Sequence, residues 1–280
     1  MSRQQLERHL RKLREAREIM DAMKSLAFME TRRLTARLDV QQAMMHSLDT
    51  AVADFLSFYP QYRTTTVPGR QIHLLLGSER GFCGNFNERL LQALEPASTE
   101  KADLIACGHK LYSRLGDDPR LYTAIDGASV LDEVGETLNR LTETLTTLQQ
   151  QGIGLNLAVL YHDADSQDVR TRQLLPPFAS VPIENARYPS APDLNLPPTP
   201  FFAELVDHYL FAALHDIAYS SLLAENRQRM QHLDGAVRYL DERLEDLARK
   251  GREIRQEEIT EEIEVILLNA EAWPATPKRS

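Results

Sequence analysis

The sequence predicts an α/β domain set between two long helices that pair with each other as an antiparallel coiled coil. Three observations predict it. Proline is absent from Met1 to Tyr59 and again from Phe201 to Trp273; since proline breaks helix interiors, each window can be one helix. Apolar residues in both windows recur in a heptad pattern, the 3.5-residue period of a left-handed supercoil. Between the windows, buried-strand runs alternate with amphipathic stretches, the pattern of βαβ units.

In the first window Leu6, Leu13, Met20, Ala27, Leu34, Leu48 and Phe55 repeat every seven residues, with Gln41 as the one polar member. Leu10, Leu38, Met45, Val52 and Tyr59 form a second, interrupted row beside it. At ~1.5 Å per residue a continuous helix here would be about 85–90 Å long and its counterpart about 110 Å, far beyond the ordinary helix of about 11–12 residues.

The second window carries a cleaner seam: Met230, Leu233, Val237, Leu240, Leu244, Leu247, Gly251 and Ile254 alternate steps of three and four. Gly251 costs about 1 kcal/mol of helix propensity, so close backbone approach is expected there. A further stretch with the same spacing, Ile263, Ile266, Ala270 and Trp273, follows after a slip in register. Two long seams in one chain pair most simply with each other, antiparallel, because the middle domain returns the chain to where it left; pairing with other copies is the alternative. The C-terminal window is the longer, so its last turns are expected to lie beyond any partner helix, with their apolar residues meant for a socket elsewhere.

The middle region reads as strands at Gln71–Gly77, Asp103–Gly108, Leu155–Tyr161 and Arg170–Leu175, with helices at Asn85–Leu94, His109–Leu115 and Val130–Gln150. This is a small Rossmann-like α/β domain with parallel pairing expected. Eight of the fourteen prolines crowd between Pro176 and Pro200. The predicted organisation is therefore an N-terminal helix over 1–59, an α/β domain over 60–177, a Pro-rich linker over 178–200, a C-terminal helix over 201–273 and a tail over 274–280.

Composition excludes several classes. A net charge of −9 and a pI near 5.4 argue against nucleic-acid binding, which needs a basic footprint. Cys83 and Cys107 show no C-x-x-C spacing, so neither a disulfide framework nor a zinc site is expected. No apolar run is long enough to span a membrane, and the Arg-containing start lacks the apolar core of a secretory signal. A soluble chain in the cytoplasm, reaching membranes only through partners, is the expectation.

The turn GSERGFCGNFN, Gly77–Asn87, sits at the carboxyl end of a strand, where open α/β sheets place ligand loops. Its glycines at 77, 81 and 84 match neither phosphate-binding spacing, and no lysine follows. Asn85 could cap the next helix. Cys83 lacks a His or Asp constellation and reads as a small buried thiol. HDAD, His162–Asp165, has metal-ligand residue types without metal-ligand spacing and reads as a polar loop after a strand; His208 and His215, seven apart, share no metal. No nucleophile, base and orienting group assemble, so no catalytic residue, cofactor or metal is expected. Charge is asymmetric: ten Lys/Arg against five Asp/Glu over Met1–Arg37, and ten against sixteen from Phe201 onward. Solvated helix faces explain this, or a basic arm meeting an acidic partner surface.

Three segments, in order, resemble the gamma subunit of F-type ATP synthases. They are DAMKSLAFMETRRL (Asp21–Leu34), similar to the family's AMK-x-V segment; SERGFCGNFN (Ser78–Asn87), close to its S-D-R-G-L-C-G-G-F-N; and AENRQRM through RQEEITEEIEVILLNAEA, similar to its S-E-x-x-x-R-M segment and its R-Q-x-x-I-T ending. The resemblance implies a central rotor shaft. The paired helices would stand inside a hexamer of α and β subunits, with the α/β domain against the ε subunit and the membrane c-ring. It implies that nucleotides bind elsewhere, that the chain is a non-catalytic subunit, and that it lies peripherally on the cytoplasmic side of a bacterial plasma membrane.

Residue by residue, the resemblance implies that Met23 faces the acidic lever loop of β with Lys24 in the same neighbourhood. It also implies that Arg229, Arg255, Gln256 and Thr260 engage β at its catch loops; pairing of Arg255 with Glu258 along the helix is the rival use. Arg80, Gly81, Cys83, Gly84, Phe86 and Asn87 match the central-turn motif. Asn85 replaces a family glycine, Glu79 a family aspartate, and ILLNAEA is bulkier than the family's C-terminal segment. These departures point to a divergent or alternative F-type or N-type enzyme, such as the sodium-translocating variants of some bacteria. The competing classes are a coiled-coil scaffold with an α/β head, which leaves the three ordered motifs unexplained, and a nucleotide-dependent α/β enzyme, which leaves both arms unexplained.

Overall fold

The computed structural model describes residues 3–63, 69–97, 102–150, 154–179 and 188–271. Residues 180–187 of the predicted linker, Trp273 and the 274–280 tail lie outside the described residues. The chain divides into two compact units, one of Leu26–His232 and one of Met1–Ser25 with Leu233–Ser280. Helix α1 (Arg3–Phe58) and helix α5 (Pro198–Glu271) each contribute to both. Pro198 and Pro200 fall in the first turn of α5, where backbone N–H groups have no helical partner, so the helix starts before the predicted residue 201.

In the smaller unit the helices pair antiparallel along the predicted seam. Leu6, Leu233, Val237, Leu240 and Leu247 are buried while their neighbours on the opposite face are exposed. Polar ties flank the seam: Arg17 Nε donates to Asp241 at 3.0 Å and Lys24 Nζ to Asp234 at 3.3 Å. Gly251 departs from expectation. A side chain built there would meet the Cδ2 of Leu6 at 3.2 Å, so a leucine knob, not a backbone, fills the space the glycine leaves.

The larger unit holds a five-stranded sheet of order β3-β2-β1-β4-β5. In chain order it is built from β1 (Gly69–Leu76), α2 (Phe86–Ala97), β2 (Asp103–Cys107), α3 (His109–Leu115), β3 (Leu121–Ile125), α4 (Val134–Gln149), β4 (Gly154–His162) and β5 (Val169–Leu175). Strands β1 to β4 are parallel, as the crossover helices require, and burial of β1 and β4 on both faces accounts for the apolar runs LLL (74–76) and LAVL (157–160). Two features correct the sequence reading. Strand β3 was not expected, and β5 pairs with β4 antiparallel, because only a short turn joins them and no helix crosses over.

Alternation along β1 sends its residues to two layers. Leu75 packs with Leu90, Leu94 and Leu111 of α2 and α3. Ile72, Leu74 and Leu76 join the larger core with Leu138 and Leu141 of α4, Leu34, Leu38, Met45, Val52 and Phe55 of α1, and Tyr209, Ile217 and Leu222 of α5. Within this unit α1 and α5 again run antiparallel: Phe55 lies 5.2 Å from Phe201, ring to ring, and Arg37 sits over Tyr219 at 5.9 Å.

Candidate functional site

In this sheet the strand order reverses between β1 and β4, and open α/β sheets bind ligands in the crevice outside the carboxyl ends of such strands. Here the occupant of that crevice is α5. Eight consecutive residues, Tyr219 to Asn226, are buried, which means that the helix is covered on every face. The buried side chains include Ser220, Ser221 and Ala224, small enough to let the helix axis come close to the strand ends.

Polar bonds fix the helix there. Ser221 Oγ donates to the Leu76 carbonyl at the end of β1 at 3.4 Å. Just past β4, the Ala164 N–H donates to Ser220 Oγ at 2.9 Å, and the Ala164 carbonyl accepts from Arg227. Gln228 Nε2 donates to Asn85 Oδ1 at 2.8 Å, so the Asn85 side chain is taken up by α5 instead of capping α2.

Arg229 closes the site. Its side chain is buried, its Nε donates to the Gly81 carbonyl at 3.2 Å, and its Nη2 donates to the Arg80 carbonyl at 3.4 Å and to Cys83 Sγ at 3.2 Å. One turn back on its own helix it is ion-paired with Glu225, and Nη1 donates to Asn226 Oδ1 at 3.2 Å. The Cys83 thiol, with one proton to donate, lies 3.2 and 3.4 Å from the carbonyls of Arg80 and Gly81 and 3.8 Å from Glu225. Burial pushes this thiol up to about 12, so it stays protonated and unreactive. Burial also pushes the Glu225 carboxyl up to about 7, against the opposing pull of Arg229.

The turn is braced from its other side. Glu79 accepts from the backbone N–H groups of His109 and Gly127, each at 2.8 Å. Asn87 accepts from the Ser78 N–H and donates to Ser78 Oγ, both at 2.9 Å. Phe86 stacks on His162 at 3.8 Å, and His162 Nε2, facing the Phe86 carbonyl at 2.9 Å, carries its proton there. His162 is the last residue of β4 and fully buried, so it is not part of the polar loop expected from HDAD; burial lowers its pKa and keeps it neutral. Gly84 takes a positive φ of 58°, a conformation that favours glycine, and Phe82 takes one of 64° with its ring outward.

Arg80, Gly81 and Cys83 thus bond directly to Arg229, while Gly84, Phe86 and Asn87 shape the same turn through its backbone conformation, the His162 stack and the bonds to Ser78. The other expected contact residues lie in the smaller unit. Met23 is half-buried, and Lys24 is engaged by Asp21 as well as Asp234. Arg255, Gln256 and Thr260 are exposed, with Thr260 Oγ1 donating to the Gln256 carbonyl at 2.9 Å. Beside them Ile259, Ile263, Val265, Ile266, Leu267 and Leu268 form an exposed apolar stretch. Sequence reasoning missed Glu79, Ser220, Ser221, Glu225 and Arg227. The signal for Glu225 was its place four residues before Arg229 on one helix, and for the serines a run of small residues inside a helix that is otherwise apolar.

A crevice filled by the protein's own helix defines an α/β domain closed on a long helix, with the usual ligand position taken by α5. A family model described as ATP synthase matches residues 2–273, and the chain belongs to that family, as a gamma subunit. It is 22% identical over 281 residues to the ATP synthase gamma chain of Clostridium botulinum (strain Langeland / NCTC 10281 / Type F), covering 95% of this chain and 96% of that one. It is 25% identical over 299 residues to the ATP synthase gamma chain of Caldanaerobacter subterraneus subsp. tengcongensis, covering 96% and 99%. The rotor of the Euglena gracilis mitochondrial ATP synthase shares the fold, with a TM-score of 0.59 at 13% identity over 92% of this chain and 98% of that one. No described helix is long and apolar enough to cross a membrane.

Proposed function

We propose that the chain is the central rotor shaft of an F-type ATP synthase and carries no catalytic centre of its own. The observation that carries this reading is that a single helix, α5, is enclosed in the crevice of the sheet domain over Tyr219–Asn226 and presents an apolar, exposed surface near its C-terminus. A shaft needs both, a seat that receives force and a surface that delivers it. The α/β domain would meet the ε subunit and the c-ring, and the paired helices the α and β subunits. Ion flow through the ring would turn the shaft, and the shaft would drive each β subunit through its conformations. The chain would lie on the cytoplasmic side of a bacterial plasma membrane, held there through the c-ring.

Within that reading Arg255, Gln256 and Thr260 are the residues offered to the catch loops of β, because their side chains are exposed and able to form the brief charge-assisted hydrogen bonds a turning shaft needs. Met23 and Lys24 would face the lever loop. Arg229 differs from the rest of this set, since its guanidinium is already committed within the larger unit.

Reconstitution with the α and β subunits of the same organism tests the proposal. ATP hydrolysis should depend on the chain and fall when it is truncated after Ile254. If α and β neither bind the chain nor respond to it, the coiled-coil scaffold is the better reading.

A further inference from the structure

We propose that the Arg229–Glu225 clasp is a torsional key: it fixes the rotational setting of α5 in the sheet crevice, so that turning force passes between helix and α/β domain through the Ser78–Asn87 turn. The inference rests on the rotor reading above and assigns Arg229 a positioning role inside the chain.

Elsewhere on this stretch of α5, Ser220, Ser221, Arg227 and Gln228 reach the sheet domain through one hydrogen bond apiece. Its small buried residues are Ser220, Ser221 and Ala224, with Leu222 and Leu223 buried beside them, and about two to three turns earlier come Ala212 and Ala213, also buried. Apolar burial is nondirectional. Hydrogen bonds do have direction and weaken steeply when bent.

Arg229 supplies directional bonds on both sides of the joint. Glu225 and Asn226 hold its guanidinium to α5, while the carbonyls of Arg80 and Gly81 hold the same planar group to the turn. The turn cannot simply follow, because Glu79 ties it to the backbone at His109 and Gly127. A continuous series of directional bonds thus runs from α5 into the loops that follow β2 and β3. Burial strengthens the bonds from Arg229 to Glu225 and Asn226. A buried ion pair is weak support for stability in itself, since well-packed apolar residues often do as well, and its best-attested use is to fix one arrangement over its neighbours. Here the arrangement fixed is an angle.

The test uses the complete complex in inverted vesicles, built with the unaltered chain or with R229M, E225M/R229M or R229K. ATP hydrolysis is measured alongside ion uptake per ATP, followed both with a pH-sensitive dye and with radioactive sodium. At equal amounts of assembled complex, R229M and the double variant should lose uptake per ATP severalfold while hydrolysis falls much less. R229K, which keeps the charge but not the planar fork, should lie between. Hydrolysis and uptake falling in parallel, with an unchanged ratio, would show a merely structural role and overturn the key. So would an unchanged ratio at full activity, or failure of all three variants to incorporate. Absence of coupled uptake with the unaltered chain would instead remove the rotor reading itself.

Discussion

Gln41 lies buried in the apolar row of α1 and donates its Nε2 to the backbone carbonyl of Ala212 in α5 at 2.9 Å. The one polar residue in that heptad row is therefore a register pin, the use to which single buried amides are put in coiled coils. The Ala212 carbonyl lies inside a helix, so removing Gln41 does not orphan it. Gln41→Ala should cost about 1–2 kcal/mol through the lost hydrogen bond and the space left behind, and Gln41→Leu less than about 1 kcal/mol. Urea denaturation of both variants checks this; a larger loss for Leu than for Ala would reverse the assignment.

Arg229→Ala should be among the most destabilising substitutions in the chain, by about 3–5 kcal/mol, because it leaves Glu225 buried without its partner. Replacing both residues by methionine should recover most of the loss, since no charge then stays unpaired. The comparison is made by chemical denaturation of the two proteins side by side.

The same carboxyl predicts a pH dependence. Burial raises Glu225 from 4.5 to about 7 in the fold, with Arg229, Cys83 and Glu79 as the titratable groups acting on it. Between those values the unfolded chain has released this proton and the folded chain has kept it. The contribution of Glu225 to stability is therefore full below about 4.5, is lost as pH rises to about 7, and is level beyond. Glu225→Gln lacks this slope. The difference in urea midpoint between Glu225→Gln and the unaltered chain should shift in favour of the variant up to about pH 7 and then hold constant; a difference that is flat throughout would mean that the carboxyl is ionised across the range.

Gly251→Ala should stabilise the smaller unit. Alanine gains about 1 kcal/mol of helix propensity, and the atom it would crowd is the free end of the Leu6 side chain, which can turn aside. A rise in thermal midpoint is expected, and a fall would mean that Leu6 has nowhere to go.

The long helices were legible because their signals are local and redundant: proline-free windows and seams whose positions, Leu34, Val52, Leu233 and Leu247 among them, are buried as the period requires. The parallel strands were legible from their double-sided burial. β3 was not, because Leu121–Ile125 is a strand at the sheet edge with exposed Tyr122 and an alternating pattern, bounded by a charged turn that resembles any loop. The direction of β5 is set by its partner and not by its own residues. The central turn was recognised as a motif, yet its purpose was hidden, since Glu225 and Arg229 are charged residues that a sequence places by default on the surface. Only the fold shows that they lie beside a turn more than a hundred and forty positions earlier.

The enclosed stretch of α5 also orders the protein's synthesis. The strands and the turn leave the ribosome with their crevice open, and the helix that closes it follows only after the Pro-rich segment, with Leu76 and Ser221 separated by 145 positions. At about 5–20 residues per second that interval lasts of the order of ten seconds, during which the apolar strand ends and the seam of α1 stand uncovered. The chain must wait for its own shaft before its head is finished, and that wait is when a chaperone would have most to hold.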